Sequence, residues 1–358
     1  MSAPRIDLKD VITTTVLPGL HYPLPPRELQ VSIDEAPVGR LTEAANLWRF
    51  TYAPEWLGNP HRFPLAPALP LQEAAIADGS SQRPVQWYFD NLLPEEQQRT
   101  LMATDARVDG ADAFALLTAY GAESAGSLTL LPPGTHLLPG GSEPLTDSEL
   151  SRRIQGLPRT SLAAGAAKRM SLAGAQHKLA IIEVGEELYQ PLGAEPSTHI
   201  LKPDSTSSSY PHSVANEWFV MCLAQRMGLQ VPKIERRYVP EPVFIIERFD
   251  REITADAIHR RHAIDACQLL NLDRQFKYTL GSIDTLKVIV EQCRSKLKTR
   301  VRLFDWLIFN VLTGNNDAHL KNLSFLVDNK GIELAPHYDL LSTACYETRA
   351  YADEGARW

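Results

Sequence analysis

The sequence is poor in cysteine, with four in 358 residues, Cys222, Cys267, Cys293 and Cys345, far apart and without a CxxC pair. That spacing argues against a disulfide framework or a zinc site, and reduced core thiols in a cytosolic protein are the expectation. No apolar run approaches the ~18 residues needed to cross a bilayer. The N-terminal stretch MSAPRIDLKDVITTTVLPGL lacks the basic n-region and apolar core of a secretory leader. A cytoplasmic protein with no membrane contact is therefore expected. Basic residues are not in excess either: 36 Lys and Arg stand against 43 Asp and Glu, a formal net charge of −7. Nucleic-acid backbones are usually met by a basic footprint, so contact with DNA is expected only indirectly, through a basic partner. A Walker A motif, a GxGxxG turn and a DFG tripeptide are also missing.

What remains is the composition of an ordinary globular protein, 44% apolar and 22% charged. Pro-rich residues open the chain, and 1–37 read as a loosely held N-terminal extension. A small α+β unit over 38–145 follows, with strand-like VGRL and LWRFTYAPEWL and helices near Gln86–Leu93 and Asp112–Tyr120. The Pro- and Gly-dense stretch 131–145 reads as the linker that closes it. Over 146–252, strands at 179–184, 187–192 and 198–204 precede a helix from Ser213 as N-cap to Gly228 as C-cap, its core stripe formed by Phe219, Cys222, Leu223 and Met227. Strands IERRYV and VFIIERF complete a mostly antiparallel sheet. Residues 253–358 read as a helical unit in which Phe304, Leu307, Ile308 and Val311 mark a helix central to the core. A hairpin with its turn at Asp328–Gly331 comes after it. The fold class is α+β: an antiparallel-sheet lobe, a connector and a helical lobe, the order a bilobal kinase requires.

The chemistry concentrates in TGNNDAHLKNLSF, residues 313–325. Asp317 and Asn322 stand five apart, the Asp-then-Asn spacing of a kinase catalytic loop, in which the carboxylate takes the acceptor's hydroxyl proton and the amide holds Mg²⁺. Lys321 is placed to neutralise charge on the transferred phosphoryl group, and Asp339 in APHYDLLS is the second metal-binding group. Two other readings stay open: Asn-Asn-Asp after Gly314 as a plain helix-ending turn, and His319 and His337 as metal ligands of a phosphoesterase. Upstream, Ser171–Lys178 is a small-residue turn through which backbone N–H groups can approach phosphates. Lys202 ends a strand, and Glu217 sits one turn into the next helix as its ion-pair partner. VFIIERFDR (243–251) reads as the hinge, with backbone near Glu247 and Phe249 facing adenine and with Asp250 or Arg251 either holding ribose or bracing the hinge.

The stretches SLAGAQHK, PSTHILKPD, VANEW, IERFDR, NDAHLKN and HYDLLS, with VGRL, FTYAPEWL, PLAPALPL and FDNLLPE before them, resemble the HipA family of bacterial toxin kinases over about residues 38–345. The resemblance implies a Ser/Thr kinase of a type II toxin–antitoxin system that uses ATP and Mg²⁺. Asp317 would be catalytic, with His319 in the catalytic loop, and Asn322 and Asp339 would bind the metal. Ala173, Gly174, Ala175, Gln176, His177, Lys178, Lys202, Glu247, Arg248, Phe249, His319, Lys321, Asn322, Tyr338, Asp339, Leu340 and Leu341 would line the nucleotide site. Ser171 would be the autophosphorylated loop serine, where phosphate would expel the loop. The implied partners are a HipB-type DNA-binding antitoxin and a translation protein such as glutamyl-tRNA synthetase as substrate. Two departures stand out: His177 replaces the family's usual acidic residue, and the chain stops soon after Asp339, so the helical lobe is expected to be incomplete. A catalytically impaired antitoxin-binding or corepressor module is the alternative this raises.

Overall fold

The computed structural model describes residues 26–163, 166, 168, 170–254 and 257–346. The first 25 residues of the expected extension and the tail after Tyr346 lie outside them.

The first unit begins with β1 (Arg27–Ile33), β2 (Ala36–Ala44), β3 (Leu47–Tyr52), the short helix α1 (Pro54–Gly58) and β4 (Ile76–Ala77). Helices α2 (Pro84–Asp90), α3 (Glu96–Ala106) and α4 (Ala113–Tyr120) and strand β5 (Leu128–Leu131) follow. The strands form one antiparallel sheet in the order β4-β3-β2-β1-β5. Residues 27–33, expected within a loose extension, are thus an interior strand, because Leu29 and Val31 alternate into the core. On β3, Trp48 and Phe50 face the same core and meet Phe114 of α4 and Phe89 of α2 at ring centroids 5.2 and 5.7 Å apart.

The second unit comprises β6 (Gly141–Pro144), α5 (Asp147–Gln155), β7 (Leu179–Val184), β8 (Glu187–Leu192), β9 (His199–Pro203), α6 (Ser213–Arg226), β10 (Ile234–Tyr238) and β11 (Pro242–Glu247). Its six strands run β10-β11-β9-β7-β8-β6. Because β6 pairs with β8, part of the expected linker belongs to this sheet, and the boundary falls before Gly141. β11 is buried on both faces: Val243 and Ile245 pack with Leu150 of α5, while Phe244 and Ile246 share the other core with Val220 and Met221 of α6. The stripe expected on α6 is rotated. Phe219 and Met227 are exposed, Val214, Glu217, Val220, Met221 and Ala224 face inward, and the N-cap is His212 rather than Ser213.

The third unit carries β12 (Arg251–Ile253), β13 (Ile258–Arg260), β14 (Ala263–Asp265), α7 (Ala266–Leu269), α8 (Ile283–Gln292), α9 (Lys296–Thr313), β15 (Ser324–Asp328) and β16 (Gly331–Leu334). On α9 the expected core face is again offset. Leu303, Trp306 and Phe309 are buried, whereas Phe304, Ile308 and Val311 are exposed. Over residues 303–312 all but Asp305 and Asn310 are apolar, which gives periodicity no way to choose the inward side there. The cysteines divide likewise: Cys267 and Cys293 are buried, Cys222 is partly covered and Cys345 is exposed, so not all are core thiols. No helix among the described residues is long and apolar enough to cross a membrane.

The three units meet in one buried ionic cluster. Glu123, 1% exposed, lies after α4 and accepts from Lys168 at 2.7 Å, Arg251 at 2.9 Å, Arg248 at 3.2 Å and the Ser197 hydroxyl at 2.5 Å. Asp250 pairs with Arg248 at 2.7 Å and takes the Gly126 N–H at 2.7 Å. Gly126 has φ +84°, and a Cβ there would stand 2.8 Å from the Ala263 carbonyl, so only glycine brings the backbone this close. Burial opposes the Glu123 charge, but Lys168, Arg251 and Arg248 outweigh it and hold the carboxyl well below its ordinary range.

Removing one partner leaves buried cations uncompensated, which typically costs about 3–5 kcal/mol. Glu123→Gln should therefore lower the urea midpoint sharply, while Asp284→Asn, which breaks the exposed Lys287–Asp284 pair, should not change it. Equal midpoints for both variants would show that the cluster is not what joins the units.

Candidate active site

Helix α9 ends at Gly314, in the left-handed region at φ +63°. The turn beyond it is fixed by its own amides. Asn315 Nδ2 donates to Asn310 Oδ1 at 2.7 Å, and Asn315 Oδ1 accepts the Asp317 N–H at 3.1 Å. The Asn316 N–H donates to Thr343 Oγ1 at 2.8 Å, and Thr343 donates back to the Gly314 carbonyl at 2.9 Å. These bonds tie Asp317 to the segment that follows Asp339. Asn322 is buried, and its side-chain amide donates to the Asp317 carbonyl at 3.3 Å. The plain helix-ending turn is thus present, and it also presents Asp317. Burial lifts the Asp317 carboxyl to about 6, against a hydrogen bond from Tyr278 Oη that lowers it. Burial keeps His319 neutral, with its pKa down at about 3.

Opposite this loop, Lys202 at the end of β9 reaches Glu217 of α6 at 2.7 Å and Asp339 at 2.6 Å. Burial disfavours the ammonium, but Asp339 and Glu217 outweigh it and raise its pKa. Asp339 is desolvated too, yet Lys202 and Lys178 hold it ionised, with a pKa of about 2. Asp339 has φ +58°, a left-handed conformation that a non-glycine residue adopts at some cost. It is kept by neighbours: Asn216 of α6 accepts the Ser342 N–H at 2.9 Å and donates to the Ser342 carbonyl at 2.7 Å. Asn216 and Glu217, adjacent on one helix, therefore align both sides of the Asp339 turn.

The loop 170–178 folds against the first unit. Ser171 is fully buried, its hydroxyl donating to the Leu92 carbonyl at 2.7 Å and its N–H to the Glu123 carbonyl at 2.8 Å. Gly174, at φ +108°, accepts the Glu95 N–H at 3.2 Å. Lys178 Nζ donates to the Ala173 carbonyl at 2.6 Å, and burial together with nearby Lys202 drops its pKa to about 8. Lys178 is close enough to Asp339 to help hold it ionised, and Ala173 and Gly174 lie against the Lys178 ammonium. His177 does not turn that way, because its buried ring bonds Gln98 of α3.

Several expected roles need correction. Lys321 does not reach towards a transferred phosphoryl group: its ammonium is held by Asp265 at 2.7 Å and by Asn91 Oδ1 at 2.8 Å. A buried ammonium takes the nearest carboxylate, and Asp265 supplies one while its other oxygen caps α7. Arg248 turns away as well, into the Glu123 cluster, and of the two roles open to Asp250 and Arg251 both side chains brace the hinge. The N–H groups of Glu247 and Arg248 already donate to the Lys233 and Thr198 carbonyls at 2.9 Å each. Leu340 is core, and Leu341 is half-buried. Tyr338 stacks on Phe249 at 5.6 Å, an aromatic pair beside the hinge. Among the described residues no group of three His, Cys, Asp or Glu side chains could hold a metal. His337 stacks on Trp306 instead, so the phosphoesterase reading lacks its ligand set. Three participants had no sequence signal: Glu123, Tyr278 on Asp317, and Glu95, which pairs with Lys277 at 2.5 Å.

Two family models match the chain, a HipA N-terminal domain over residues 29–131 and a HipA-like C-terminal domain over residues 170–356. Y4mE of Sinorhizobium fredii, a protein named as a kinase, is 38% identical over 83% of this chain and 72% of its own length. The Ser/Thr-protein kinase toxin HipA of Shewanella oneidensis is 30% identical over 89% of this chain and 76% of its own. The solved Shewanella oneidensis HipA–HipB–operator DNA complex contains a chain that superposes with a TM-score of 0.75 at 29% identity, covering 89% of this chain and 77% of that one. The bilobal α+β kinase-like fold expected from the sequence is therefore present.

Because the Asp317 carboxyl is raised, the folded state holds its proton more tightly than the unfolded chain, where it ionises near 4. The stability this gives is present at low pH and lost as pH rises from about 4 through about 6. Asp317→Asn removes that loss. In the nucleotide-free protein it should be more stable than the parent by on the order of 2 kcal/mol at pH 7 and equal to it at pH 3.5. A melting-temperature gap that does not widen with pH would contradict this origin of the shift.

Proposed function

Since the chain belongs to the HipA family of Ser/Thr kinase toxins, we propose that it transfers the γ-phosphoryl group of Mg-ATP to a serine or threonine hydroxyl of a protein acceptor. The observation that carries this reading is Lys202 held between Glu217 and Asp339, facing a loop that presents Asp317 and Asn322. Lys202 would meet the α/β-phosphates, and Lys178 would add a second cation from the loop. Asp339, ionised at neutral pH, and Asn322 offer oxygen donors of the kind Mg²⁺ takes alongside phosphate and water. Bound there, Mg²⁺ would neutralise charge on the phosphate oxygens. Asp317 accepts the acceptor's hydroxyl proton, and its pKa of about 6 suits a base working near neutrality. The Phe249–Tyr338 pair offers adenine an apolar face.

Ser171 is the proposed modification site. Its hydroxyl is buried against the Leu92 carbonyl, and a phosphate there would bring a charge of roughly −1.5 to −2 against an acceptor-only carbonyl. The docked loop could not keep that contact, so modification should release the loop and weaken ATP binding. A HipB-type DNA-binding antitoxin is the proposed partner and would supply the DNA contact that a chain of net charge −7 lacks. A translation protein such as glutamyl-tRNA synthetase is the proposed acceptor.

Incubation with labelled ATP and Mg²⁺, alone and with glutamyl-tRNA synthetase, should label the synthetase and, by mass spectrometry, Ser171. Asp317→Asn should reduce labelling about 10²–10⁴-fold, and Lys202→Met should weaken ATP binding measured by calorimetry. Labelling that is absent from the parent, or unchanged in Asp317→Asn, rules the kinase reading out.

A further inference from the structure

The base that is to receive the acceptor's proton already has a hydroxyl on it. Tyr278 Oη donates to Asp317 Oδ1, and its ring stands edge-on to His319 at 4.8 Å. This contact comes from outside the catalytic loop. Tyr278 lies just after the 3₁₀ turn Arg274–Phe276, and the residue before it is anchored twice. The Lys277 carbonyl accepts the Leu320 N–H at 3.1 Å, and Lys277 Nζ pairs with Glu95 at 2.5 Å. Residue 277 is thus fixed to the catalytic loop through its backbone and to the first unit through its side chain. The ring one residue on is 36% exposed and borders solvent beside Phe276 and Leu280, which are exposed as well. With residue 277 fixed, the Tyr278 side chain, which lies between the His319 ring and the Lys277 ammonium at 5.3 Å and borders solvent, is the part able to move its hydroxyl.

We infer that Tyr278 stands in for the acceptor: its phenol occupies the proton-accepting oxygen of Asp317 until the hydroxyl of a protein substrate displaces it. The inference rests on the kinase reading above. A phenol offers a carboxylate the same O–H donor that a serine or threonine offers, so the two compete for one oxygen. Water competes for it as well. A substrate segment that covers the surface around Phe276 and Leu280 can displace the ring, whereas a single water molecule has no such surface contact to compensate for the bond it breaks. The device therefore discriminates against hydrolysis of ATP while no acceptor is present. Hydrogen bonds to charged groups are strong enough that the covered state should dominate by about tenfold. No phosphorylation of Tyr278 is involved, and the only proton that moves is the one Asp317 takes from the entering hydroxyl.

The test is multiple-turnover ADP release from Mg-ATP without any protein acceptor, on the full chain, on Asp317→Asn and on three variants altered at Tyr278. Tyr278→Phe keeps the ring against His319 and removes only the hydroxyl, and it should hydrolyse ATP about tenfold faster than the parent. Tyr278→Ala should do the same if it folds, as judged by circular dichroism. The double variant Tyr278→Phe/Asp317→Asn should fall to background. A rate in Tyr278→Phe equal to or below the parent's, with the parent's own rate dependent on Asp317, overturns the stand-in and leaves the kinase reading intact. A rate indifferent to Asp317→Asn overturns both.

Discussion

Three pieces of chain that share no continuous sheet converge on one buried carboxylate, over a hydrophobic core common to all three. Glu123 draws Lys168, Arg248 and Arg251 to one point, and with Asp250 it joins the first unit, the approach to the nucleotide loop and the hinge. Charges placed there cannot relax into water, so each needs its partners where they are. This makes the hinge a braced joint. Arg248 and Arg251 are committed to the cluster, which leaves the Phe249 ring and its Tyr338 neighbour to shape the cleft wall.

A second buried cluster extends the same logic to the catalytic loop. Lys321, flanking Asn322, is held by Asp265 and Asn91, and Glu95 lies 3.5 Å from it while pairing with Lys277. The backbone N–H of Glu95 meets the Gly174 carbonyl. One turn of the first unit, residues 91–95, therefore touches the loop 170–178 on one side and the Asp317–Asn322 loop on the other. That unit thus holds Lys321, the chain neighbour of Asn322.

What the sequence disclosed depended on how local the cause was. The Asp317–Asn322 spacing was legible because both residues sit in one loop. Lys202 and Glu217 were legible because a strand end and the next helix's first turn fix their relation. The strands of the second unit were readable from β-branched runs, and the helix expected near Asp112–Tyr120 is α4, which Asp112 caps. Failures arose where tertiary partners decide. Phe304, Ile308 and Val311 look as apolar as Leu303, Trp306 and Phe309, and only tertiary packing, from α8 and from His337 on Trp306 among others, selects the inward set. Lys321 could have faced a phosphate, and Asp265, 56 residues away, is what turns it aside. Tyr278 lies 39 residues from Asp317, and no pattern links them.

Beside these charged contacts, α6 is joined to the Ser342 backbone by a neutral amide pair through Asn216. An amide neither titrates nor feels ionic screening. The register between the helix that carries Glu217 and the turn that carries Asp339 is therefore insulated from salt and acid. Shifts in the ionic environment can retune Lys202 and its carboxylates while the rail on which they are mounted stays put.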